Sequence, residues 1–220
     1  MCDVLVWFLQ AITGINWLEL IKAIAPVVTA FIAFRALRNW QRQDKAKREA
    51  EFLDALIEAT HTYIAEMHKP ISLLEMAKIG MASHVPPGED GEHADRDVKG
   101  AIAYIQEHGQ HIAVLLSAAL AATRPSAVKL TSLAVKGQVF RFDGYTKCHN
   151  SVRLLRWYFD RIAGFTAVIQ SSTKNWGNPE VLEFLKAAMK INPDDIRQSV
   201  KDENVAILEF IRKTYQKIYI

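Results

Sequence analysis

Residues 17–48 read WLELIKAIAPVVTAFIAFRALRNWQRQDKAKR, an apolar stretch that a basic stretch follows at once. As one helix rising about 1.5 Å per residue, the part between Trp17 and Trp40 is about 35 Å long, and the hydrocarbon core of a bilayer is about 30 Å thick. Tryptophan favours the two membrane interfaces, so Trp17 and Trp40 are expected to be interfacial anchors. This stretch therefore predicts one membrane span at about 17–40.

The basic stretch, residues 35–48, is called the collar below, and Arg35, Arg38 and Arg42 are among its six Lys and Arg residues. The collar carries a net charge of +5, whereas residues 1–34 and 49–220 each sum to −1. The charge of −1 for residues 49–220 disfavours nucleic acid as the partner of that part of the chain. A collar beside an apolar stretch instead marks the cytoplasmic end of a span, so we expect the N-terminus outside and the C-terminus in the cytoplasm.

Polar residues weaken this span. Glu19 and Lys22 lie one helical turn apart and can pair with each other, and Pro26 is tolerated where neighbouring groups satisfy the freed carbonyl. Residues 4–12 (VLVWFLQAI) are too short to cross a bilayer, so they either lie on the outer surface or extend the span. The alternative for residues 3–34 is a buried hairpin of a soluble protein.

Apolar residues recur at three- and four-residue steps, and no segment alternates with a period of two, so the sequence predicts an all-α fold. We expect an N-terminal transmembrane helix that continues as a long cytoplasmic stalk helix to about His68, followed by a bundle of five or six helices. The expected domains are a membrane anchor (1–40) and a cytoplasmic helical domain (41–220). The expected breaks are Pro70, a long loop at 82–97, a helix boundary at Pro125, a turn at Asp143-Gly144, and helix starts after Asn178 and Asn192.

Catalytic motifs are missing from the sequence, so an enzyme is disfavoured and we expect no cofactor, metal or small-molecule substrate. The content of 50% hydrophobic and 10% aromatic residues excludes intrinsic disorder. Glu58 and His61 form a single Glu-x-x-His pair, but a di-iron site needs two. His108 and His111, with Glu107, have a spacing that can share a metal, although chance surface polarity is the preferred explanation.

A second surface motif is the group Arg153, Arg156 and Trp157, which shares one side of a predicted helix at 151–171. One interpretation is a core helix with a solvated basic flank. The other is a docking face, because Arg and Trp dominate binding hot spots. The expected partner is a protein or a nucleoprotein.

Residues 31–69, from FIAFRALRNW to the end of the stalk, resemble the start of small membrane proteins of bacterial antiphage defence loci. They are similar to the transmembrane effector that accompanies some retrons, in which a reverse transcriptase–DNA complex restrains a protein that damages the inner membrane. The resemblance covers about the first third of the chain. It implies a single-pass inner-membrane effector held in check by such a partner. The alternative is a non-toxic membrane tether or scaffold.

An effector of this kind requires the span to self-associate. The span contains small residues that permit helices to approach closely, and Glu19 and Lys22 would then face a wet interior instead of lipid. The small residues are Ala23, Ala25, Ala30 and Ala33.

Overall fold

The computed structural model describes residues 17–86, 93–170 and 174–218, except for the side chains of residues 17–21, 23 and 93–95. The expectations for residues 4–12 lie outside the described residues. Within the described part all secondary structure is helical, which confirms the predicted all-α class. The helices are α1 (Trp17–Ser83), α2 (His93–Tyr104), α3 (Gln110–Gly137), α4 (Tyr145–Ile169), α5 (Pro179–Met189) and α6 (Pro193–Ile218).

A π-helical turn, Ile105–Gly109, joins α2 to α3, and a 3₁₀ turn, Gln138–Phe140, follows α3. If α2 and α3 are taken as one continuous helix, the described residues form five helices. The chain divides into two compact units between Arg48 and Glu49. That the helix beginning at Trp17 is a membrane helix, and that the anchor ends at residue 40, stay predictions.

Three prolines, Pro26, Pro70 and Pro125, lie inside helices, so the helix ends expected at about His68 and at Pro125 are wrong. Helix α1 continues through Pro70 to Ser83, and α3 contains Pro125. An interior proline costs about 3 kcal/mol, chiefly because it removes one backbone hydrogen bond. Burial on both sides compensates, since Met67 and Leu74 flank Pro70 in the core with no exposed surface. Continuous core packing therefore overrides the local break.

The loop expected at 82–97 is shorter than expected, because helical structure occupies both ends of that range. Helix α1 reaches Ser83 and α2 begins at His93. Helical structure persists at the start of α2 because its residues Val98 and Ala101 are buried.

The expected turn and the two helix starts are confirmed. Gly144 adopts the left-handed conformation, with φ +73°, immediately before α4. The Asn178 side chain accepts a hydrogen bond from the Glu180 amide at 2.9 Å, and Asn192 accepts one from the Asp194 amide at 3.0 Å. Each asparagine precedes a proline at the first helical position, where the missing amide hydrogen is not needed.

The second unit, from Glu49 onward, is built around one apolar core to which α1 through α6 contribute. Buried tyrosines tie the helices together. Tyr63 of α1 donates a hydrogen bond to the Leu155 carbonyl at 2.7 Å, and Tyr145 donates one to the Ala134 carbonyl at 2.6 Å. Burial raises the pKa of both phenols above their usual range, so both remain protonated donors.

Candidate membrane anchor and docking face

The first unit presents an exposed apolar helix segment. Every side chain from residue 24 to residue 43 is exposed. The large apolar side chains among them are between 48% and 68% exposed: Ile24, Val27, Val28, Phe31, Ile32, Phe34, Leu37 and Trp40. Isolated exposed apolar residues are ordinary in soluble proteins, but a contiguous patch marks a surface that something else covers.

Large and small residues share every side of this segment, since Ile32 lies beside Ala25 and Ala30 lies beside Phe34. At 3.6 residues per turn, Val27 and Phe31 lie on one side of α1, and Ala25 and Ala33 lie on the other. The hydroxyl of Thr29 donates to the Ala25 carbonyl at 2.8 Å, so this polar group is already satisfied within the helix. A hydroxyl bonded in this way can face an apolar environment at little cost.

The collar follows this segment on the same helix. Arg35, Arg38, Arg42 and Trp40 are all exposed, and Asp44 forms an ion pair with Arg48. Lys22 is exposed as well, whereas the side chains of Trp17 and Glu19 lie outside the described part of the structure. The expected contact between Glu19 and Lys22 stays a prediction.

Among the described residues, the one helical segment long and apolar enough to cross a bilayer is Arg96–Phe140, by length and composition only. The core helix of a soluble bundle meets the same criterion, and Leu116 and Leu130 are indeed buried in the core. Only 44% of its most apolar stretch is buried, however, and residues such as Val114 and Val128 are exposed. This helix therefore has one side in the core and one apolar side on the surface.

The residues predicted as a docking face lie together on the outer side of α4. Arg153, Arg156 and Trp157 line a shallow cavity of about 220 Å³ between α4 and α3. The Arg156 guanidinium holds Asp160 at 3.1 Å and lies 5.0 Å from the centre of the Phe159 ring. Arg153 is exposed and forms no ion pair within the described residues.

Trp157 is held in place by a neighbouring cation. The Arg161 guanidinium lies 4.6 Å from the centre of the Trp157 ring, and 48% of the Trp157 side chain stays exposed. A second cavity, of about 280 Å³, adjoins Arg156 and is lined by Val128 and Val135 of α3. We call these residues together the docking face: Val128, Val135, Arg153, Arg156, Trp157 and Arg161. It combines an anchored tryptophan, cations and an apolar surface, which is the composition of binding hot spots.

The candidate polar sites of the sequence are arranged differently from expectation. Glu58 forms an ion pair with Lys129 at 2.9 Å on the surface of the bundle. His111 lies apart, whereas Glu107 and His108 meet His84 in a cluster that the sequence did not indicate. Burial raises the pKa of the Cys148 thiol to about 12, so this cysteine is chemically inert in the folded bundle.

Comparison with known proteins finds no matching family model, no matching curated protein and no matching solved structure. We therefore infer function from the surfaces that the chain itself presents.

Proposed function

We propose that this chain is a membrane-anchored helical effector of a bacterial antiphage defence system, restrained by a protein or nucleoprotein partner and acting on the inner membrane. The observation that carries the proposal is the exposed apolar segment of α1 at residues 24–34, followed by the collar. The resemblance of residues 31–69 to retron-associated effectors supports the defence role.

A bilayer is a better environment than water for the exposed apolar side chains of this segment. The transfer of apolar side chains such as Phe31 and Phe34 out of water is favourable, and a helix that is apolar all round is covered on all sides in its working state. Lipid supplies that cover without a dedicated partner. The exposed cations Arg35, Arg38 and Arg42 would then lie among the anionic headgroups of the inner leaflet, with Trp40 at the interface.

The docking face gives the restraining partner a place to bind. Its cations Arg153 and Arg161 favour an acidic surface, and Trp157 supplies a rigid apolar anchor. Residues 49–220 have a net charge of −1, so the cations of this face are offset by acidic residues elsewhere in that part of the chain. We therefore assign an acidic protein surface, as part of the restraining complex, to this site.

Release of the partner would free the anchor to self-associate. Ala25 and Ala33 lie on the side of α1 away from Val27 and Phe31, so contact of two helices through these alanines leaves Val27 and Phe31 toward lipid. Glu19 and Lys22 would then face water in the assembly.

Expression of the full chain without its partners tests this proposal. We expect growth arrest, entry of a membrane-impermeant dye and loss of membrane potential. The double variant Glu19→Leu and Lys22→Leu should anchor more firmly and lose the damage. The matched control is Glu183→Leu with Lys186→Leu, an exposed pair of the same types at the same spacing in α5, which should damage membranes like the wild type.

Two outcomes count against the proposal in different ways. Intact membranes on wild-type expression would refute the effector and leave a tether or scaffold with the same topology. Equal damage by the Glu19 and Lys22 variant would refute only the wet-interior role of those residues.

The docking face is tested in the native host, where the partner is present. Trp157→Ala should release the effector and arrest growth without infection. Phe184→Ala is the control, because Phe184 of α5 is also an exposed aromatic residue, at 68% exposure, and lies outside the docking face. Normal growth of the Trp157 variant would remove the docking face from the proposal.

A further inference from the structure

Three potential metal ligands from distant parts of the sequence meet at one end of α1. His84 follows α1 directly, and Glu107 and His108 belong to the π-helical turn. The His84 Nε2 lies 3.6 Å from one Glu107 carboxylate oxygen, and the His108 Nε2 lies 3.5 Å from the other. One ligand atom from each residue can be chosen such that all three lie within 4.8 Å of one another.

The hydrogen bonds of His84 fix which of its nitrogens is free. The Nδ1 atom lies 2.8 Å from the Gly80 carbonyl oxygen, and a carbonyl oxygen only accepts, so Nδ1 carries the hydrogen. In the neutral ring, Nε2 then presents a lone pair toward the Glu107 carboxylate, which is also an acceptor. Two acceptors that face each other need either a second proton on the ring, which makes an ion pair, or a metal ion between them. A ring that donates its far nitrogen to a backbone carbonyl is also the usual arrangement of a metal-binding histidine.

The two distances between an imidazole nitrogen and a Glu107 oxygen fit ligands of one ion better than they fit direct hydrogen bonds. An N–H···O bond is about 2.7–3.2 Å long. Two ligands bound at about 2.0–2.1 Å to a tetrahedral zinc ion lie about 3.4 Å apart. The observed 3.5 and 3.6 Å are close to the second value, although each is measured to a different oxygen of Glu107, so the carboxylate would bind one ion through both oxygens or turn to offer one.

Close backbone packing holds the three residues in place. A Cβ atom on Gly80 would lie 2.2 Å from the Tyr104 ring, and one on Gly109 would lie 2.5 Å from the Ile169 carbonyl oxygen. Both glycines therefore permit neighbours to approach the backbone where the π-helical turn meets α1 and α4. The Tyr104 ring packs against both imidazoles, with ring centres 5.3 Å from His84 and 5.4 Å from His108. π-Helical turns are frequent at functional sites.

We propose that His84, Glu107 and His108 bind one zinc ion. Two imidazoles and one carboxylate are a donor set that zinc favours, and three protein ligands leave one position for water. The ion would join the end of α1 to the turn between α2 and α3.

Metal binding to the purified full chain in detergent, carrying an affinity tag without histidine, tests this site. We expect one equivalent of Zn²⁺ by equilibrium dialysis, and visible d–d bands when Co²⁺ replaces it. Glu107→Gln and His108→Gln should each weaken Zn²⁺ binding by about 100-fold or more and abolish the Co²⁺ bands. Both changed side chains are largely exposed, so the bundle is expected to fold normally.

The matched control is His111→Gln, an exposed histidine three residues from His108, which should bind Zn²⁺ like the wild type. Absence of stoichiometric binding to the wild type would overturn the site and leave His84 and Glu107 as an ion pair. Unchanged binding by the Glu107 and His108 variants would also overturn it, because the metal would then lie elsewhere on the chain. Neither outcome depends on whether the chain damages membranes.

Discussion

Helix α1 contains two apolar regions with opposite surroundings. Between residues 24 and 43 every side chain is exposed, and Phe31 is 62% exposed. Further along the same helix, Leu53, Leu56 and Met67 have no exposed surface. Both regions are helical and rich in large apolar residues. Helical structure alone therefore does not determine whether protein, water or lipid surrounds each region.

The arrangement of the apolar residues explains the difference. In the later region they recur every three or four positions, which gives one side that packs into the bundle and one side that faces water. In the earlier region apolar residues occupy all sides, and no single protein surface covers all of them. The earlier region is thus suited to a surrounding solvent of lipid, and the later region to a core made by its own chain.

Substitutions that introduce charge into the earlier region should have the largest effect, which is on membrane association. The triple change Val27→Lys, Phe31→Lys and Phe34→Lys should abolish carbonate-resistant membrane association, because each lysine at a helix centre opposes insertion by about 2.5–3.5 kcal/mol. The control is Val128→Lys and Val135→Lys in α3 with Val139→Lys in the 3₁₀ turn that follows it, three valines that are at least 56% exposed. The control should pellet with membranes like the wild type, and membrane association that survives the α1 changes would end the lipid interpretation.

Neutralisation of the collar should have the next largest effect. Basic residues near an anionic surface contribute about 1 kcal/mol each, so removal of four should weaken attachment by up to about 4 kcal/mol and make the orientation mixed. The changed residues are Arg35, Arg38, Arg42 and Lys45, each to Gln. A C-terminal reporter read for cytoplasmic or periplasmic location measures the outcome, with Arg124, Lys136, Lys201 and Arg212 to Gln as the charge-matched control. If orientation and membrane yield stay unchanged, the collar is only a solvated surface.

A third comparison concerns large-to-small substitutions in the two regions. Leu56→Ala should lower the free energy of unfolding of the bundle by about 2–5 kcal/mol, because it leaves a cavity in the core. Val28→Ala, in the exposed region, should change it by less than about 0.5 kcal/mol. Urea unfolding of the detergent-solubilised chain, followed by circular dichroism, measures both. Equal destabilisation by the two changes would mean that Val28 also packs against protein.

Local patterns predicted the helices well but misplaced their interruptions. Apolar periodicity and the caps at Asn178 and Asn192 depend on neighbouring residues, so they can be recognised in the sequence. The breaks expected at Pro70 and Pro125 are wrong because the effect of a proline on a helix depends on burial by distant segments. Around Pro125, for example, the Thr123 hydroxyl contacts the Glu66 carbonyl of α1 at 3.3 Å.

The same distinction separates the two candidate sites. Arg156 and Trp157 lie three and four residues after Arg153 on one helix, so their shared side follows from helical geometry alone. The cluster of His84, Glu107 and His108 depends on the π-helical turn and on the approach of the end of α1. Neither feature produces a periodic pattern in the sequence. The spacing of His108 and His111 instead suggested that those two histidines share a metal.

The burial of Cys148 makes this thiol an internal reporter of folding. Residues 49–220 contain no other cysteine. With the pKa raised to about 12, the thiolate fraction at neutral pH is on the order of one in 100,000, and unfolding would restore ordinary reactivity. In a Cys2→Ser background, the rate of maleimide labelling would therefore follow the opening of the bundle.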